Sequence, residues 1–205
     1  MRPSIAILIA LVAVPAIVQA QAAPAAAAQP ATMPRLSVQQ QVAAAVLPLP
    51  APLRDGATVL GYADGATTLS TLRKGTGDMT CLAPAPGAPR FHVACYHQSL
   101  EAFMARGREL RASGVTGDGV DSVRFAEARS GKIALPATAA LYSLTGKVES
   151  YDAASNATNG ARALFVVYVP NATAASTGLS TQPSRTPWLM GAGTPKAHIM
   201  FTPDM

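Results

Sequence analysis

Residues that carry chemistry are scarce in this chain of 205 residues. It has two cysteines, three histidines and one tryptophan, and aromatics make up only 5% of it. Nucleic-acid binding calls for a dense basic stripe interleaved with stacking aromatics. Here the 16 Lys and Arg are mostly scattered against 11 Asp and Glu, so nucleic acid is not an expected partner. No C-x-x-C occurs, which excludes a thioredoxin-like redox pair. No G-x-S-x-G elbow and no G-x-x-x-x-G-K-S/T loop occur either. The carboxylates fall mostly in predicted turns or on helix faces, so no glycosidase pair stands out. No internal repeat is visible.

The N-terminus is the most informative part. Arg2 gives a positive start, Ile5 to Val14 is an unbroken apolar run, and Pro15 breaks it. Val18-Gln19-Ala20 then supplies small residues where signal peptidase needs them. Residues 1–20 are therefore predicted to be a signal peptide cut after Ala20, with a second cut option after Ala22. The apolar run falls short of the ~20 residues of a spanning helix, so no membrane span is expected after cleavage. No cysteine lies near the cut, which excludes a lipoprotein anchor. The expected location is the periplasm or the extracellular space. In such a compartment Cys81 and Cys95 are expected to form one structural disulfide.

Residues 21–52 read as an Ala/Pro-rich leader. One short helix is expected within it, capped by Ser37 and running to Val46. Pro48, Pro50 and Pro52 then favour extended chain. The folded domain, 53–205, is expected to begin near Leu53. Strands are predicted at Ala57 to Tyr62, Thr67 to Arg73, Met79 to Ala83 and Phe91 to Tyr96, with Asp64-Gly65 as a two-residue hairpin turn. A hairpin of the third and fourth strands would bring Cys81 to Cys95. Two helices follow, one from Ser99 with Leu100, Phe103, Met104 and Leu110 as its apolar stripe, the other from Val120 to Arg129. Strands return at Ala139 to Leu144, Ala161 to Val169 and Ala197 to Phe201. The stretch ARALFVVYV reads as a central strand buried on both faces. The expected class is α+β: one domain, a mainly antiparallel sheet of about six or seven strands, and two helices inserted between strand blocks.

Candidate functional residues are few. His97 shares a strand face with Cys95 and His92 takes the other. His97 and His198 are the weak candidates for a catalytic base. The cluster Arg106, Arg108 and Arg111, interleaved with Glu101 and Glu109, reads as a solvated helix face. Gly75 to Asp78 and Gly191 to Pro195 read as turns rather than phosphate loops. Met190, Met200 and Met205 read as apolar filler rather than copper ligands. No metal or cofactor is expected.

The segments ATVLGYADG and LRKGTGDMTCL, a second cysteine just before a helix, and the closing GTPKAHIMF form a further pattern. On these the chain resembles a group of uncharacterised secreted bacterial proteins with a G-T-x-x-x-T-C segment and a closing G-T-P-x-A strand. The resemblance implies export and single-domain folding over about Asp55 to Phe201, without naming a reaction. Together these readings predict an exported, non-enzymatic binding or envelope-associated protein whose partner is a small ligand or an envelope component. The alternative is a small secreted hydrolase using His97 or His198 as base.

Overall fold

The computed structural model describes residues 31–202, and the predicted signal peptide lies outside them. The fold is α+β. In chain order it runs α1 (Val38–Ala45), α2 (Ala51–Arg54), β1 (Thr58–Gly61), β2 (Ser70–Arg73), β3 (Met79–Leu82) and β4 (Phe91–His97). A 3₁₀ turn (Gln98–Leu100) leads into α3 (Glu101–Ala112), then α4 (Asp118–Arg129) and β5 (Ala139–Gly146). A second 3₁₀ turn (Val148–Ser150) precedes β6 (Tyr151–Asp152), β7 (Ala157–Thr158), β8 (Arg162–Tyr168), α5 (Ala174–Thr177), β9 (Trp188–Met190) and β10 (His198–Phe201).

Eight strands form one sheet in the order β2-β1-β3-β4-β5-β8-β10-β9, and β6 and β7 form a separate pair. That exceeds the expected six or seven. The additions are short strands, such as β9, that carry too few residues to show an alternation. One pair, β1 with β3, is parallel and the rest are antiparallel. Cys81 lies directly opposite Cys95 in the β3–β4 register, and the two are disulfide-bonded.

Side chains alternate across the sheet. One face carries Val59, Cys81, Phe91, Val93 and Cys95, and α1 packs on it through Ala44 and Ala45. The other carries Tyr96, Leu141, Val166, Tyr168 and Met200, and meets Leu100 and Met104 of the α3 region.

Besides the helical turn α2, which forms over Ala51–Arg54 where Pro48, Pro50 and Pro52 are expected to keep the chain extended and which admits Pro52 in its first turn, three expectations change. The domain does not start near Leu53: Met33, Leu36, Ala44, Ala45 and Leu49 are all buried in the core. Alanine-rich sequence reads as spacer, yet small side chains let α1 sit close on the sheet. Ser37 does cap α1, in a reciprocal box with Gln40. Buried Gln41 donates to the Leu36 and Tyr62 carbonyls and accepts the Tyr62 N–H, which welds the helix to β1.

Second, Asp64-Gly65 does not make a two-residue hairpin, because β1 ends at Gly61 and β2 begins at Ser70. Arg35 holds the longer connection by donating to the Ala63 and Ala66 carbonyls. Third, β8 is not buried on both faces. Phe165 is 36% exposed and the adjoining Phe201 of β10 is 38% exposed, because α1 covers only the β1–β4 side of its face.

Candidate functional site

The two histidines singled out as bases are kept apart. His97 ends β4 on the α1 face, whereas His198 lies on the opposite face of β10, three strands away. The His97 Nδ1 accepts the Ser99 backbone N–H at 3.3 Å and lies 2.8 Å from the Ser99 hydroxyl. That contact caps the 3₁₀ turn before α3. His198 is buried and stacks on Tyr168 with ring centroids 5.2 Å apart. Its Nδ1 lies 2.7 Å from the Lys196 carbonyl, which only accepts, so Nδ1 carries the proton. Burial lowers its pKa; the bond to the Lys196 carbonyl opposes this and the Lys196 charge adds to it.

The arginine-rich helix is more than a solvated face. Two sides of α3 do different work. On one side Phe103, Gly107 and Leu110 are buried, and α4 lies against them. A Cβ at Gly107 would fall 2.9 Å from the Arg124 guanidinium, which would have to shift to admit it. Arg124 of α4 is buried, sits 4.1 Å over the Phe103 ring, and donates to Asp121 and to the Phe103 carbonyl. Asp121 also accepts from Lys196 at 2.8 Å, so α4 and the segment leading into β10 share one carboxylate. Arg106 and Lys132 converge on Glu127 and tie α3 to the end of α4.

The other side of α3 forms one wall of an open groove of about 540 Å³. Its wall is Ala105, Arg108, Glu109, Arg111 and Ala112; the facing wall is Tyr62, Thr67, Thr68 and Leu69 of the β1–β2 connection. Arg108 is fixed at the base. It donates to the buried Tyr96 hydroxyl at 2.8 Å and to Glu101 at 2.5 Å, while Tyr96 donates to the other Glu101 oxygen at 2.5 Å. Burial and the bond to Glu101 push the Tyr96 phenol well above its ordinary pKa, so it stays a hydrogen-bond donor at any working pH. Arg111 is anchored through one donor on the Gly107 carbonyl, 2.9 Å away. Arg108 and Arg111, three residues apart, thus line the same groove as Thr67 and Thr68. Glu109 adds a carboxylate, paired with Arg106 at 3.2 Å.

Two smaller cavities lie on the sheet. One, about 340 Å³, runs between the Leu47–Pro50 segment and Tyr142, Leu144 and Phe165. The other, about 240 Å³, is lined by Thr145, Arg162, Ala163, Leu164, Met200 and Thr202 on the opposite face. None of the three cavities is lined by a histidine. Among the described residues no three His, Cys, Asp or Glu converge as metal ligands, and no helix is long and apolar enough to cross a membrane.

The glycine-containing turns use their amides internally. Gly75 N–H donates to the Thr58 hydroxyl and Gly77 N–H to the Gly56 carbonyl. Gly193 N–H donates to the Ala172 carbonyl. Those donors are therefore already occupied. The groove was missed because its walls are some 40 residues apart in sequence. The available signal was Arg108 and Arg111 at helical i, i+3 spacing on α3. No family model, curated protein or solved structure matches the chain.

Proposed function

We propose that the chain is an exported binding domain that holds a small anionic ligand in the groove between α3 and the β1–β2 connection. The carrying observation is the pair of anchored arginines that line one groove with Thr67 and Thr68. A volume of about 540 Å³ lies within the usual range for ligand pockets. Anchoring matters because a guanidinium already held in place loses little freedom when a ligand arrives. Carboxylate, phosphate and sulfate all match its fork of donors. The threonine hydroxyls and Tyr62 suit a ligand that also carries hydroxyls, which points to sugar acids as the first class to test. Export is supported by the signal-like N-terminus and by the disulfide, which is at home in an oxidising compartment.

Glucuronate serves as the probe. Titrated into ¹⁵N-labelled protein at fixed ionic strength, it is expected to give saturable amide shifts at Thr67, Thr68, Arg108 and Arg111. The exposed Arg111→Ala variant is expected to weaken binding about ten-fold, equivalent to loss of one charge-assisted hydrogen bond. Absence of saturable shifts at these four residues, or an unchanged affinity in the variant, would overturn the assignment.

A further inference from the structure

A second cluster of cations lies on the far side of the sheet from α1, outside the groove. His92 of β4 pairs with Thr145 of β5, and Thr145 pairs with Arg162 of β8. The three form one row across three neighbouring strands, on the face that α3 and α4 cover only near Tyr96 and Tyr168. The row itself is open: His92 and Arg162 are both exposed. Thr145 and Arg162 line the cavity of about 240 Å³, and Thr202 closes it from the end of β10.

Arg90 and Arg162 have no carboxylate partner within ion-pair distance among the described residues. Partial enclosure by the sheet, and then the charge of Arg90, hold the His92 pKa below its ordinary value. Gathering like charges on one sheet face is unfavourable. An anion on the row would relieve that repulsion.

The hydroxyl between the basic groups is set to respond. His92 Nδ1 lies 2.8 Å from the Thr145 hydroxyl. When Nδ1 carries a proton it donates to Thr145, and the Thr145 O–H is freed to donate outward into the cavity. An oxyanion seated beside Arg162 would accept that hydrogen bond. It would thereby favour an Nδ1–H form of His92, and its negative charge would favour the imidazolium over the neutral ring.

The geometry points to a second binding site, formed by Thr145 and Arg162 with His92 behind Thr145, for a tetrahedral oxyanion, either free or as the terminal ester group of a larger molecule. The Thr202 hydroxyl offers a further donor at the far wall. The apolar floor of Leu164 and Met200 limits how many waters compete for the anion.

The test is an amide-shift titration of the exported chain with sodium sulfate, which stays doubly charged between pH 5.5 and 7.5, at ionic strength held constant with chloride. Saturable shifts are expected at His92, Thr145 and Arg162, with affinity rising at least three-fold as the pH falls across that range. Arg162→Gln, an exposed change, should weaken binding about ten-fold with an unchanged far-ultraviolet spectrum. His92→Asn should abolish the pH dependence. The proposal fails if shifts stay unsaturated at this row, if Arg162→Gln binds as tightly as the parent, or if the shifts appear only at Thr67 and Arg111. That last result would leave the groove assignment standing and remove this one, whereas shifts confined to the row would support this site and count against the groove as the anion site. Parallel titrations with inorganic phosphate and glycerol phosphate separate the sources: tighter binding of the ester identifies a larger ligand, and equal binding a free anion.

Discussion

Under α1 the sheet is packed with small apolar side chains, Ala44, Ala45, Val59 and Leu49, gathered around the Cys81–Cys95 disulfide. Cys95 Sγ lies 3.1 Å from the Ala45 carbonyl, a packing contact only, because a disulfide sulfur has no proton to donate. Across the sheet, beneath α3 and α4, a buried arginine takes the central place. Arg124 stacks on Phe103 and shares Asp121 with Lys196. The first face is held by burial and a covalent bond, which respond little to pH or salt. The second depends on charged groups whose desolvation must be offset by their partners. The groove proposed to hold a ligand lies beside the charged α3, and the covalent staple lies in the apolar cluster under α1.

The largest test of that contrast is removal of the staple. The double variant Cys81→Ala, Cys95→Ala should lose about 3 kcal/mol in chemical denaturation, as expected for a loop of this length. The loss should be the same at low and high salt. A salt-dependent loss would show that the apolar face is not independent of the charged one.

Next comes Gly107→Ala. By helix propensity alone it should stabilise α3 by up to ~1 kcal/mol. Because its Cβ would meet the Arg124 guanidinium, it should instead destabilise by about 1–3 kcal/mol, an overpacking cost. Thermal melts of this variant decide which effect wins. A raised Tm would mean that Arg124 moves aside freely.

The smallest effect is the pH profile. The His198 pKa is lowered by burial, with a smaller contribution from the Lys196 charge. The unfolded chain therefore takes up this proton first as pH falls. The stability present above about pH 6.5 should decline as pH drops through the unfolded value toward the folded one. His198→Asn should flatten that segment. Burial alone would raise the Asp121 pKa, but hydrogen bonds from Lys196 and then Arg124 hold it below the ordinary carboxylate value. A further decline is thus expected below about pH 4, on the order of 1 kcal/mol or less because the carboxylate is partly solvated. Stability that is flat from pH 8 to 3 would contradict the role given to the charged face.

Local signals in the sequence carried most of the architecture. The Cys81–Cys95 pairing, the helix capped by Ser37 and the two helices after β4 are each encoded by neighbouring residues. What was not legible depends on partners distant in sequence. Residues 31–52 look like spacer until Gln41 meets Tyr62. The apolar β8 segment looks like a strand buried on both faces until the reach of α1 is known. Arg108 looks solvated until it is seen bonded to Tyr96 and Glu101. The groove is harder still, since nothing in the composition of Thr67 and Thr68 marks them as neighbours of α3.

The sheet order has a consequence for the chain as it emerges from a ribosome. β10 lies between β8 and β9, yet it is synthesised after both. Until His198–Phe201 arrive, β8 lacks one neighbour and β9 has none. The buried His198 ring and the Lys196–Asp121 bridge cannot form before then either. A chain stalled upstream of Lys196 would therefore present an unpaired apolar edge at Val166 and Tyr168. Pairing of β8 and β9 within the sheet is thus coupled to delivery of β10.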